Sequence, residues 1–177
     1  MKTLEELTAL QQEFLDAGYT AEFGFRMACL TLLKKSLKNE FDKDSETADK
    51  AVDEHAKSEA EAKIKSELLK HLNRQIKALQ NLHWKEIFQH LFRRIFQREN
   101  QAECPADLHP AIIPISNDFS CIYALTEAIS NGQCAILLAS SETKDMSEWI
   151  KTIVEDNFTE DFVAVYTPSE VVGEMKP

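Results

Sequence analysis

Glycine and proline are scarce in this chain, with four and five in 177 residues, and neither occurs between Ser45 and Glu99. The glycines Gly18, Gly24, Gly132 and Gly173 stand alone. No glycine-rich loop is therefore available to cradle a phosphate or a dinucleotide, and both the P-loop and the dinucleotide fingerprint are absent. The four cysteines, Cys29, Cys104, Cys121 and Cys134, form no C-x-x-C pair, and three of them lie in apolar runs. A cysteine in such a place behaves as a small hydrophobe, which points to a reducing compartment. No apolar run approaches the roughly 18 residues that a membrane span needs. Met1 to Leu15 interleaves charged residues and glutamines with its leucines, unlike a secretory signal. The expectation is a soluble, cytoplasmic protein that requires no cofactor and no membrane.

Charge is unevenly placed. The net value is −10. Residues 1 to 41 carry −1, residues 42 to 61 carry −5, residues 62 to 98 carry +7 and residues 99 to 177 carry −11. One basic block thus lies between two acidic ones, and the sum disfavours a dedicated binder of polyanions.

The helical signals begin at Thr3 and Glu6, which make a capping box ahead of Leu4, Leu7, Leu10 and Phe14. Gly18 offers a left-handed stop, and Thr20 can cap a second helix whose Phe23, Met27, Leu30, Leu33 and Leu37 share a face. The unbroken run of strong helix formers from Ser45 to Glu99 predicts a very long helix. On a helical wheel, Ile64, Leu68, Leu72, Ile76, Leu79 and Leu82 fall on one side, with Lys63, Lys70, Arg74, Lys77 and Lys85 opposite. Past Trp84 the apolar residues Ile87, Phe88, Leu91, Phe92, Ile95 and Phe96 are rotated by roughly 170°. Such a turn of face implies either a break near residues 81 to 84 or a helix that serves two neighbours in succession.

Beyond Arg98 the texture becomes polar, and Pro105, Pro110 and Pro114 end helical propagation. Apolar runs at Ala111 to Ile115, Cys134 to Ala139 and Phe162 to Tyr166 alternate with helical patterns at Phe119 to Ser130 and Met146 to Glu155. This alternation predicts a small parallel β-α-β-α-β sheet with Pro114 on an edge strand. The fold class is α+β or α/β. Residues 1 to 98 form a helical region, with a hairpin at 3 to 38, a charged helix at about 45 to 83 and an aromatic-rich helix at 84 to 98. Residues 99 to 110 are a linker, and 111 to 177 a small α/β domain.

Each predicted strand ends in polar side chains: Ser116 and Asp118, Ser140 and Glu142, Thr167 and Glu170. Ligands of parallel sheets bind beyond the carboxyl ends of the strands, so these six are candidates for a ligand rim. The same residue types follow strands because they cap the next helix. His83, Glu86 and His90 fall on one side of the long helix and are a candidate metal trio, though the H-x2-E-x3-H spacing is not a zinc motif. Cys104, His109 and Cys121 match no usual zinc spacing. The stripe Lys63, Lys70, Arg74, Lys77 and Lys85, with Trp84, Phe88 and Phe92, is a candidate partner surface. Cations beside aromatics also suit nucleic acid, but the acidic remainder of the chain opposes that.

No catalytic or cofactor signature is present. The leading expectation is a non-enzymatic interaction protein, an adaptor, chaperone, inhibitor or immunity-type antagonist, that meets a basic protein partner or its own copy through the central helix. Small-ligand binding or small-scale enzymology at the rim is the alternative, and nucleic-acid binding the third.

Overall fold

The computed structural model describes residues 2–48, 55–96 and 108–168, with side chains described for 2–43, 61–87 and 108–168. Helix α1, Leu4–Asp16, starts at the predicted capping box, where Glu6 N–H donates to Thr3 Oγ1 and Thr3 N–H to Glu6. Gly18 adopts the left-handed conformation, φ +79°, and a single turn over Tyr19–Ala21 leads into α2, Phe23–Ala48. Thr20 therefore lies buried in that turn and does not cap α2.

Helix α2 runs ten residues beyond the predicted end at Lys38 because Phe41 has a place to go. It is buried, and its ring stacks on Trp149 at 6.1 Å. The charged segment expected to belong wholly to one long helix is therefore divided between α2 and α3, His55–Phe96. Helix α3 is continuous through Asn81 to Lys85, so the change of apolar face is not accompanied by a break. Phe23 near the start of α2 meets His83 late in α3, and Phe41 late in α2 lies under Lys65 early in α3, so the pair is antiparallel.

Strands β1, Ala111–Pro114, β2, Ala135–Leu138, and β3, Val163–Tyr166, form a three-stranded parallel sheet in sequence order. Helix α4, Ser120–Ser130, joins β1 to β2, and α5, Lys144–Asn157, joins β2 to β3. The strand alternation separates two cores. Ile113, Leu137 and Val163 point to one face, where they join Ile122, Leu125 and Ile129 of α4 and Ile150 and Ile153 of α5. Behind these helices, Leu30, Leu33 and Leu37 of α2 and Leu68 and Leu72 of α3 complete the same core. Ile136 and Ala164 point to the other face and receive Leu7 of α1. Four layers result: α1, the sheet, α4 with α5, and α2 with α3. The residues assigned from sequence to a helical region and those assigned to an α/β part share one continuous core. The expected linker falls largely outside the described residues, which resume at Leu108, packed against that core.

Two polar devices tie the amino-terminal turn to the sheet. Gln11, fully buried on α1, donates its amide to Ala135 O at 3.0 Å and to Glu160 O at 3.2 Å. Arg26 donates to Ser130 O and to Ala21 O, holding the end of α4 against the turn. Gly132 closes that junction with φ +75°, and a Cβ there would lie 2.9 Å from Thr20 O. No helix among the described residues is long and apolar enough to cross a membrane.

Candidate functional site

Parallel pairing of Pro114 with Leu138 and of Leu138 with Tyr166 brings all three strand ends to one side of the sheet. Ser116, Ser140 and Thr167 thus share a rim. The hydroxyls of Ser116 and Ser140 are held locally. Ser116 Oγ donates to Asp118 Oδ1 at 2.7 Å and lies 2.6 Å from Ser120 Oγ, while Ser120 N–H donates to the same carboxylate oxygen at 3.1 Å. Those bonds, that from Ser116 first, hold the Asp118 carboxyl down at about 2. The negative charge that a helix amino terminus favours is therefore supplied at α4 by the chain's own aspartate.

The second cluster is similar. Ser140 Oγ lies 3.0 Å from Thr143 Oγ1, which lies 3.2 Å from Ser147 Oγ in the first turns of α5. Glu142 is exposed on the short turn Ser141–Thr143, and Thr167 is half-buried beside β3. Glu170 lies outside the described residues. Sequence reading missed Ser120, Thr143 and Ser147, for which the signal was the D-x-S and S-x-x-T-x-x-x-S spacing at the helix starts. It also missed Phe119, a non-glycine residue at φ +61° whose ring packs edge-on against Trp149 at 5.6 Å and Phe41 at 6.1 Å. A left-handed phenylalanine costs about 1–2 kcal/mol, and this aromatic trio offsets it.

On α3, the predicted apolar stripe is buried in its middle, at Leu68, Leu72 and Leu79, but Ile64 is 44% and Leu82 56% exposed at its ends. Lys63, Lys70, Arg74, Lys77 and Lys85 all face solvent. Glu67 pairs with Lys70 at 2.9 Å and more distantly with Arg74. Trp84 is 60% exposed. His83 is turned inward, its ring 3.8 Å from that of Phe23 and within 3° of parallel. Glu86 is exposed. The side chains of Phe88, His90 and Phe92 lie outside those described, and no group of three or more metal-ligating side chains occurs among the described residues. Cys121 is buried in α4 and His109 bonds to Gln12, while Cys104 is outside the described residues.

Of two cavities, one lies away from the rim and the other reaches it at Thr167. One, about 450 Å³, is a polar cleft between α2 and α5 lined by Ser36, Glu40, Asp156 and Asn157. The other, about 170 Å³, runs along β3 between Lys2 and Leu7 on one side and Val154 and Phe158 on the other.

No protein-family model matches the chain, and no curated protein matches it. Among solved structures, it superposes on a substrate-bound state of Staphylococcus aureus AldH with a TM-score of 0.62 at 20% identity. The match covers 99% of this chain and 38% of that one. At this identity the likeness concerns the fold, and the chain spans well under half the length of the AldH chain.

Proposed function

We propose that this chain is a non-catalytic interaction protein that binds a protein partner through the outer surface of α3. The observation that carries the reading is the reach of that helix. From the level of His83, where α2 begins, α3 continues to Phe96, about 20 Å farther at 1.5 Å per residue. At the start of this extension Leu82 and Trp84 are exposed on either side of the inward His83. The two flank an outward face that carries Lys85, and an exposed tryptophan beside Lys77 on its own side has the composition of a binding hot spot. The extension also carries in its sequence the second apolar repeat, from Ile87 to Phe96.

The acidic carboxyl-terminal part favours a partner that offers basic groups to it, with fast and salt-sensitive association. An adaptor or an immunity-type antagonist acting in the cytoplasm fits these properties. Against a ligand-binding rim stands the local pairing of its hydroxyls and the occupation of the α4 amino terminus by Asp118.

A photo-crosslinking residue at position 84, introduced into the chain in its own cells, tests the reading. The expected result is one dominant protein adduct, lost when Leu82→Ala is added and weakened by high salt. Absence of any adduct, or a pattern unchanged by Leu82→Ala, would sink it. A nucleotide and metabolite thermal-shift screen with a hit abolished by Ser116→Ala would move the function to the rim instead.

A further inference from the structure

Helices α2 and α3 form an outer layer of the molecule, and one stripe from each lines the seam between them on the solvent side. Met27, Lys34 and Lys38 share a side of α2, and Leu69, Asn73 and Ile76 share a side of α3. Both stripes turn away from the inner layer. Ser36, on the far side of α2 from the first stripe, bonds to Asn157 of α5 at 2.9 Å. His71, on the far side of α3 from the second, packs edge-on against Tyr123 of α4. Phe23 lies level with His83 and Phe41 with Lys65, and the same register sets Lys34 level with Leu72, so the two stripes run side by side.

The floor of this seam is apolar and its walls are cationic. Met27, Leu69 and Ile76 are half-buried and pack on the core. Lys38 on one wall and Lys70 and Lys77 on the other are exposed, and Lys34 is half-buried. Carboxylates are nearly absent here. From Glu22 to Glu40 α2 has none, and between Glu61 and Glu86 α3 has only Glu67, which Lys70 and Arg74 already engage at 2.9 and 3.8 Å. Lys34, Lys38 and Lys77 make no ion pair among the described residues. Cations gathered on one face of a chain of net charge −10 repel one another until an anionic surface lies across them.

We propose that the seam receives an amphipathic acidic helix of a partner protein. The proposal rests on the reading of α3 as a partner surface, extends that surface to α2 and names the partner's chemistry. Two helices packed about 8–10 Å apart leave a groove along their seam, and a third helix of roughly 10–12 Å diameter can lie in it. Its apolar stripe would cover Met27, Leu69 and Ile76. Carboxylates on its two flanks would meet Lys34 and Lys38 on the α2 wall and Lys70 and Lys77 on the α3 wall. Charge selects this occupant over a neutral or basic helix. Nucleic acid fits less well, because a phosphate backbone would answer the lysines and leave the apolar floor wet.

A photo-crosslinking residue in place of Thr31, exposed one turn from Met27 and Lys34 on the same wall, tests this in the full chain in its own cells. Mass spectrometry reads which segment is captured. The expected segment belongs to another protein, carries net negative charge and repeats apolar residues at helical spacing. Lys34→Glu combined with Lys77→Glu should lower its yield roughly tenfold or more, while Lys144→Glu, at an exposed lysine of α5, leaves it unchanged. Circular dichroism checks that the charge-reversed chain is folded. If it is not, Lys34→Gln with Lys77→Gln replaces it under the same criterion. A captured segment of net positive charge, cross-links confined to this chain, nucleic acid in place of protein, no adduct at position 31, or a yield indifferent to the lysine substitutions overturns the proposal. If an adduct at position 84 persists in any of these cases, α3 stands as a partner surface and the acidic helix alone is removed.

Discussion

The carboxylate of Asp118 accepts from the hydroxyl of Ser116, two residues back along the chain, at 2.7 Å. This bond, with those from the Ser120 hydroxyl and amide, holds the acid at about 2 against an ordinary 3.8. Because the folded value is the lower one, the associated stability is fully present above about 3.8 and is lost as pH falls towards 2. Carboxyl carbon shifts followed by NMR should show Asp118 titrating near 2 in the intact chain. In Ser116→Ala, which removes the largest cause, the midpoint should rise towards 3.8.

A second expectation concerns cooperativity. Leu33 of α2 and Leu72 of α3 are fully buried in the same cluster as Ile122 and Leu125 of α4. Replacing either leucine by alanine should cost about 2–5 kcal/mol. In a Trp84→Phe background, Trp149 fluorescence, which then reports on α5 alone, should lose stability together with the far-ultraviolet signal of the helices. Separate transitions for the two probes would mean that the helical layer and the sheet unfold as independent units.

Gly132→Ala should be among the most damaging single-methyl changes available. The left-handed backbone costs an alanine about 1 kcal/mol or more. The added Cβ meets Thr20 carbonyl oxygen at 2.9 Å, a backbone atom that cannot rotate away. Urea unfolding should give a loss of roughly 1–3 kcal/mol. Gly24→Ala, with nothing within 4 Å of the new Cβ, should be neutral or slightly stabilising by the same measurement.

The thiols supply a fourth expectation. Burial pushes Cys29 up to about 11 and Cys134 up to about 12, and raises Cys121 as well. At pH 8 these three should react with an aromatic disulfide reagent only as fast as the protein opens, and immediately in denaturant. Fast labelling of Cys29 in the native chain would mean that the α2 core opens on its own.

The sheet was legible because its apolar runs and the proline and asparagine-glycine punctuation agree with one another. Each strand and each connecting helix lies within a few residues of its expected place. Pattern alone could not reveal that α2 continues to Ala48, since the reason is Phe41 meeting Trp149, a partner 108 positions away. Nor could it reveal that α1 and α2, joined by one turn with Phe14 and Phe25 touching at 5.9 Å, pass to opposite sides of the sheet. Periodicity states that a face is apolar but not which surface receives it. The rim residues were found from their position after strands, but their mutual bonds depend on backbone turns such as the one at Phe119, which no composition rule marks.

The placement of α1 on the far side of the sheet has a consequence for synthesis. Leu7 rests on Ile136 and Ala164, and Gln11 on Ala135, so α1 leaves the ribosome well before the strands on which it docks. At about 5–20 residues per second, roughly 8–30 s separate the two events. During that interval α2 and α3 can pair through local contacts, while the nascent α1 presents Leu4, Leu7 and Phe14 with no sheet to receive them. A chaperone that shields short apolar helices would find this segment exposed throughout that interval.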